Sequence, residues 1–397
     1  MNQTAIKPLS RNQLVALLST VVAMGAFAID MYLPSIPEVA AHFQSDISTI
    51  EVTISLFLFG FAFGQFTGGP LSDHFGRKPM MQIGLSLFSL ATIGIIFSPN
   101  LLAFFLFRLL QGFGGGFTTV NTAAIVKDKF EIKESAKILS TIASVRMSAP
   151  MIAPLVGGLI AKIDIWQAVF VCLLIYSITL LTTISYKLDV PYIRPEQELS
   201  LKTTLQRYLG IFTNRLGLGY ILAGAFTTSG LYAFISKATS IYVDYFKVAE
   251  NNFPILFSAN VIVMILLSRI SQRLLKKYNS RQISQLGFAI NYLAGLGLLL
   301  YSQLADAPQI LPLLLLNMVF IGALGFVFGH INSCFLNCYP GKVATANATY
   351  GIIRFSMAAA MGTIIHLVGE APLQSTFLVM FICALLGNLF FYLLAKK

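Results

Sequence analysis

The nineteen residues from Ile310 to Phe328 read ILPLLLLNMVFIGALGFVF and contain no charged side chain. A helix needs about 20 predominantly apolar residues to cross the hydrocarbon core of a bilayer, because each residue adds about 1.5 Å. Similar apolar runs occur at Leu101–Phe107, Ala168–Ile184 and Phe377–Leu394. These stretches predict helices that span a membrane.

Twelve predicted spans can be delimited along the chain, because their ends are marked by charged residues and by Pro, Gly and Asn. They lie at 13–34, 48–69, 79–97, 101–123, 137–160, 165–186, 215–236, 253–273, 282–303, 309–331, 345–367 and 372–394. The alternative is a large soluble protein with buried core helices, which would need polar outer helices to surround them. The 397-residue chain has 56% hydrophobic and 11% charged residues and a mean hydropathy of +0.77. It therefore has no polar helices left to form such an outer layer. We therefore expect an all-α integral membrane protein.

The basic residues indicate how the spans are oriented, because Lys and Arg concentrate in cytoplasmic connections. Of the 27 basic residues, Lys162, Lys237 and Lys247 alone fall on one side. Most of the others fall on the opposite side, and four lie within spans: Arg108, Arg146, Arg269 and Arg354. This bias predicts that both termini are cytoplasmic. It also accounts for most of the net charge of +11 without a nucleic-acid surface.

The first span follows Lys7 and Arg11 but exceeds the length of a signal peptide and lacks a small-residue cleavage site, so we expect it to be retained. The twelve spans divide into two six-helix halves. We place the first half at 1–186, a cytoplasmic linker at 187–214 and the second half at 215–397. Arg-Met-Ser at Arg146 and Arg-Phe-Ser at Arg354 have the same offset in spans five and eleven, as expected for pseudo-symmetric repeats.

The connection between spans two and three, Gly69–Pro79, reads GPLSDHFGRKP. Its glycines permit a tight turn, and its two basic residues would serve as membrane anchors in the simplest interpretation. The pattern resembles the motif G-x-L-x-D-x-x-G-R-K of the major facilitator superfamily. That resemblance implies twelve helices in two halves and a charge cluster that helps hold one conformation. The corresponding residues are Gly69, Asp73, Gly76, Arg77, Lys78 and, at the end of span four, Asp128.

Span five contains Ala149–Gly158, APMIAPLVGG, which resembles the motif of exporters that exchange substrate for protons. The motif residues are Pro150, Pro154, Gly157 and Gly158, and Ala153 departs from the usual Gly. The alternative is a kinked helix with a purely structural role. In span one, Ile29–Pro34 (IDMYLP) resembles the branch of bicyclomycin- and chloramphenicol-type drug:proton antiporters. This resemblance implies export from a bacterial inner membrane.

An ionisable residue within a span is costly and points to function. Ser48-x-x-Glu51 matches a capping box, so we expect Glu51 to cap span two and Asp30 to be the only deep carboxylate. At about 1.5 Å per residue, Asp30 and Arg108 of span four reach similar depths. If spans one and four adjoin, as in the resembling family, a changing Asp30–Arg108 contact would couple proton uptake to alternating access. The alternative is a permanent ion pair.

By family resemblance, spans one, four, seven and ten line a central cavity. Its candidate residues are Tyr32, Gln111, Asn121, Tyr232, Phe234 and Asn332. Arg146 and Arg354 lie near mid-bilayer, so we expect them to face protein or water and to disfavour permanent cations. The alternative is that both arginines bond to backbone carbonyls of kinked helices.

The function we expect is proton-coupled efflux of small drugs or metabolites. A proton symporter for nutrient uptake is the alternative within transport, and a membrane enzyme or non-transporting receptor is the alternative outside it. The sequence lacks H-E-x-x-H, G-x-S-x-G and Walker patterns, and its four cysteines lack metal-ligand spacing. We therefore expect no cofactor, no metal and no enzymatic activity. The expected partners are substrate, protons and lipid, with the chain acting as a monomer.

Overall fold

A computed structural model describes residues 9–163, 165–190, 201–340, 343–368 and 371–395. Within these ranges twelve helical segments are long and apolar enough to cross a membrane, which confirms the predicted number of spans and the all-α class. The α-helices of the described ranges are α1 Arg11–Asp30, α2 Ile36–His42, α3 Ile47–Phe75, α4 Arg77–Ile96, α5 Leu101–Lys129, α6 Ile132–Ala161, α7 Gln167–Lys187, α8 Leu201–Leu209, α9 Arg215–Thr239, α10 Phe253–Leu274, α11 Ser280–Leu304, α12 Ile310–Leu336, α13 Val343–Val368 and α14 Pro372–Leu393.

Side chains just outside the helices satisfy the first backbone N–H groups, which have no partner within the helix. Ser10 caps α1 in a capping box with Gln13, and Asn100 accepts a 2.9 Å bond from the backbone N–H of Ala103. Gly76, with φ of 95°, separates α3 from α4 in a conformation that favours glycine. We call the end of the bundle that carries Gly69–Pro79 the motif end, and the opposite end the far end.

Two spans change their helical geometry as they approach the far end. The first span ends its α-helix at Asp30, turns through a 3₁₀ segment at Leu33–Ser35 and continues as α2. Helix α9 continues as a π-helix at Ser240–Tyr245. Such π segments are rare and occur often at functional sites.

Glycines allow the helices of the first half to approach closely. A Cβ built on Gly60 of α3 would collide with the carbonyl oxygen of Leu109 of α5, and one built on Gly112 would collide with that of Phe57. Small residues of this kind bring helix backbones together in a membrane, where apolar burial does not drive association. The contact fixes α5, and with it Arg108, against α3.

The halves meet where α3 packs along α13 and α6 packs along α10. Helix α8 lies between the two halves. Its Tyr208 packs against Phe66 of α3, with ring centroids 5.3 Å apart. Residues 191–200 of the predicted linker lie outside the described residues, and the boundaries 1–186, 187–214 and 215–397 stay a prediction.

Candidate functional site

Asp30 is the last residue of α1, where the span changes direction, and it is 3% exposed. In the described part of the chain it forms no ion pair with Arg108. Arg108 instead donates from Nη1 to the carbonyl of Ala28 at 3.1 Å and to Oε1 of Gln111 at 2.7 Å. The structure thus places Arg108 beside the helix that ends at Asp30, without the contact between their charges that we expected.

Aromatic rings enclose the fully buried Arg108. Its guanidinium carbon lies 4.8 Å from the ring centroid of Tyr32 and 5.0 Å from that of Phe57. The faces of aromatic rings attract cations and compensate part of the cost of burying the charge. Nε and Nη2 of Arg108 have no hydrogen-bond partner, so two donors remain for a partner such as a carboxylate.

Four of the residues expected in the cavity are enclosed within their own halves in this conformation. Tyr32, Gln111 and Asn121 are 0% exposed and Phe234 is 1% exposed. Gln111 donates to Thr92 at 2.8 Å, and the ring of Phe234 stacks on Phe257 and meets Tyr242 edge to face, both in the second half. All four are buried in this conformation, and their place at a cavity stays a prediction.

The other four cavity candidates border less tightly packed space. Arg146 is exposed, whereas Tyr232, Asn332 and Arg354 are half-buried. Arg146 lies on α6 and Arg354 on α13, so the two arginines come from different halves.

An aromatic contact joins the halves beside these arginines. The ring of Phe355 in α13 lies 5.0 Å from that of Phe61 in α3 and 6.1 Å from that of Tyr232. On the motif-end side of α12, a Cβ built on Gly329 would meet no atom within 4 Å. There is therefore open space beside Gly329.

The span-five motif lies between the break in span one and the second half. Pro150 and Pro154 are both within the continuous helix α6. A Cβ on Gly157 would collide with the carbonyl of Met31, the residue after Asp30, whereas one on Gly158 would collide with the ring of Pro254 in α10. One glycine therefore permits contact within the first half, and the next permits contact between the halves.

At the motif end, the structure brings together Asp73, Arg77 and Asp128. Arg77 Nε lies 3.1 Å from Asp128 Oδ2, while Nη1 pairs with Asp73 and donates to Ser72 Oγ at 2.7 Å. These pairs join α3, α4 and α5 within the first half. Of the remaining motif residues, Gly69 lies near the Tyr208 hydroxyl and Lys78 is half-buried in the first turn of α4.

Sequence reasoning missed a second buried charge site at the far end. Helix α3 begins after Asp46, so Glu51 does not cap it, contrary to our expectation. Glu51 is 2% exposed, and its Oε2 lies 3.3 Å from Nζ of Lys237, which we had assigned to an external connection. The local sequence offered no clear signal, because hydroxyl-bearing and apolar residues are equally frequent around Glu51 and around Lys237.

Twelve helical segments long and apolar enough to span a membrane, together with buried charged residues, are typical of a polytopic membrane transporter. The family model of the Major Facilitator Superfamily matches residues 17–363, and the chain belongs to this superfamily. The match confirms the family resemblance carried by Gly69–Pro79.

Two relatives extend the similarity over most of the chain. A "Bicyclomycin resistance protein homolog" of Haemophilus influenzae is 29% identical over 378 residues, covering 94% of this chain and 93% of that protein. A "Chloramphenicol resistance protein" of Pseudomonas aeruginosa is 26% identical over 361 residues, covering 88% and 83%. These relatives confirm the resemblance seen at Ile29–Pro34.

Among solved structures, a partially occluded inward-open conformation of the xylose transporter XylE from E. coli matches with a TM-score of 0.75. It covers 96% of each chain at 13% sequence identity. This likeness shows the fold, which is shared by transporters with different substrates.

Proposed function

We propose that the chain exports small drugs or metabolites across the bacterial inner membrane in exchange for protons, as a monomer and without covalent chemistry. The observation that carries the proposal is the carboxylate of Asp30, buried at the break of span one and packed next to the exporter-like motif through Met31 and Gly157. The names of the two relatives, which refer to drug resistance, support export as the direction.

The coupling we propose depends on Asp30 changing its surroundings during transport. A buried carboxylate binds a proton readily when it lacks a counter-charge and releases it when a cation approaches. Arg108 retains two donors without hydrogen-bond partners beside the same helix, so we propose that α1 moves against α5 during transport until Asp30 contacts that cation. Proton binding and the rearrangement of the halves would then depend on each other.

The positive-inside bias supports a cytoplasmic location for both termini and for the motif end. In this orientation the Glu51–Lys237 contact, which joins α3 and α9, lies at the external end. The Asp73–Arg77–Asp128 cluster would then hold the cytoplasmic ends of α3, α4 and α5 together during the rearrangement.

The test is proton movement across proteoliposomes that contain a pH-sensitive dye, after addition of chloramphenicol or bicyclomycin. Export predicts protons moving opposite to the drug, whereas a nutrient symporter predicts movement in the same direction as its substrate. Asp30→Asn and Arg108→Ala should abolish the signal without preventing membrane insertion. The control is Asp306→Asn, which neutralises an exposed carboxylate. Drug accumulation against its gradient, driven by protons, in Asp30→Asn would exclude Asp30 as the carrier.

A further inference from the structure

We propose that Arg146 and Arg354 form a binding subsite for an organic anion, most suitably an aromatic carboxylate, in the opening between the halves. The proposal rests on the proposed export function and deepens it by naming a substrate class. The two residues lie on α6 and α13, so a ligand that contacts both would also contact both halves.

The surroundings of the two guanidiniums lack a compensating charge. Within the described residues, neither lies within 4.0 Å of a carboxylate. Nε of Arg354 is buried and has no hydrogen-bond partner. An anion held between the two guanidiniums would accept charge-assisted hydrogen bonds from both, for which the planar guanidinium is well suited.

Aromatic rings determine which kind of anion would fit. The guanidinium carbon of Arg354 lies 4.6 Å from the ring centroid of Phe355 and 5.6 Å from that of Tyr350. Phe355 in turn contacts Phe61 and Tyr232 from two other helices. A ligand with a flat apolar body and a carboxylate could pack against these rings while its charge meets the arginines.

Isothermal titration calorimetry on the purified full-length protein in detergent would test the proposal. The affinities of three probes would distinguish a carboxylate subsite from a group of polar residues that has no preference for anions. The probes are salicylate, its neutral analogue salicylamide and the cation benzyltrimethylammonium. We expect salicylate to bind about tenfold tighter than salicylamide, as one charge-assisted interaction allows, and the cation to bind most weakly. Arg146→Gln and Arg354→Gln should each remove the preference for the carboxylate. Arg215→Gln, which deletes an exposed charge elsewhere, should retain it.

Equal affinity of the wild-type protein for salicylate and salicylamide would overturn the subsite, as would an unchanged preference in both Gln variants. Retained salicylamide binding shows that a variant is folded. Proton-driven chloramphenicol export without carboxylate preference would contradict the subsite alone. A carboxylate preference in a protein that moves no protons would contradict the export function alone.

A second inference concerns the far end and stands on separate contacts. The structure assigns to Glu51 and Lys237 the role of a gate that closes the far end between the halves. Glu51 accepts hydrogen bonds from the backbone N–H of Ser240 at 2.9 Å and from its hydroxyl at 2.7 Å. Lys237 donates to the hydroxyl of Ser48, which lies 3.1 Å from Nδ1 of His366. Helices α3, α9 and α13 are thereby joined.

Because this cluster is buried, removing one of its two charges should strongly destabilise the closed far end. Lys237 is 4% exposed and Glu51 is 2% exposed, so neither charge has water to replace its partner. Removing one member of such a pair leaves an uncompensated buried charge, whereas replacing both by neutral groups is often tolerated. Opening the far end would hydrate the remaining charge, so single substitutions should favour the open state.

Spin labels on cysteines at Ala41 and Glu250, exposed far-end positions of the two halves, would report this opening by double electron–electron resonance. Glu51→Gln and Lys237→Gln should each increase the population with a longer label distance about tenfold or more. The double variant Glu51→Gln/Lys237→Gln should return toward the wild-type distribution. Unchanged distances in both single variants, or a double variant as open as either, would overturn the gate.

Discussion

At the far end, the halves face each other through a buried ion pair, whereas Arg146 and Arg354, nearer the motif end, have no carboxylate within 4.0 Å among the described residues. Glu51 and Lys237 neutralise each other, while the two arginines are like charges from different halves. The first arrangement stabilises contact between the halves, and the second favours their separation or the entry of an anion. The difference shows how an interface between two repeats can be closed at one end and open at the other without any change of fold.

The largest expected effect follows from locking the far end. A Cβ built on Gly362 of α13 lies 3.6 Å from Cβ of Ser55 in α3, within the range found in disulfides. In a variant without the native cysteines, Ser55→Cys/Gly362→Cys should lose all export on oxidation, because the far end can no longer open. Reduction with dithiothreitol should restore it in the same proteoliposomes. Full activity with the cross-link complete would show that the far end need not open.

A smaller effect is expected from crowding the same end. In Gly158→Ala the added methyl group collides with Pro254 and should push α6 away from α10. Overpacking of this kind costs about 1–3 kcal/mol, so we expect initial export rates to fall about tenfold. Gly329→Ala is the matched control because a Cβ there meets no atom within 4 Å. Equal loss in both variants would indicate a general effect of glycine replacement.

The charge cluster at the motif end should matter less to stability than the buried pair. Arg77 pairs with Asp73 and Asp128, whose side chains are 64% and 37% exposed, and exposed ion pairs contribute at most about 1 kcal/mol each. Arg77→Gln should therefore reduce export only severalfold and leave the thermal stability in detergent nearly unchanged. Lys78→Gln deletes the neighbouring charge and serves as the control. Complete unfolding of Arg77→Gln would contradict this ranking.

The smallest effect is expected at Tyr208 of α8, where the linker meets the motif end. Burial, together with the nearby Asp73 carboxylate, raises the pKa of Tyr208 to about 12. The phenol is therefore uncharged between pH 6 and pH 9, and Tyr208→Phe should leave the pH profile of export unchanged. Tyr208→Ala removes the ring that packs on Phe66 and should reduce the rate at every pH. A profile altered by the Phe variant would indicate a role for the hydroxyl.

The sequence predicted the spans because the bilayer imposes a length and a polarity on each helix, independently of its neighbours. The similar depths of Asp30 and Arg108, inferred from the constant rise per residue, stay a prediction. It did not predict that Arg108 would bond to Ala28, because the rotation and lateral position of a helix depend on packing with distant segments.

Glu51 shows the same limit of sequence analysis, because here a local pattern predicted a role that the tertiary contacts do not confirm. A local pattern with Ser48 suggested a cap, but its actual partners, Lys237 and Ser240, lie in the other half of the chain. The pairing itself required the tertiary structure.

The geometry of the closed far end depends on the number of residues in the π-helix at Ser240–Tyr245. Its first residue donates its backbone N–H both to the carbonyl of Lys237 and to Glu51. A π turn holds more residues than an α turn, so deleting one residue between Ile241 and Tyr245 would allow an α-helix to form there. Every side chain beyond the deletion would then rotate by about 100° around the helix axis. Homologous chains that keep both Glu51 and Lys237 should therefore tolerate substitutions in this segment far better than insertions or deletions.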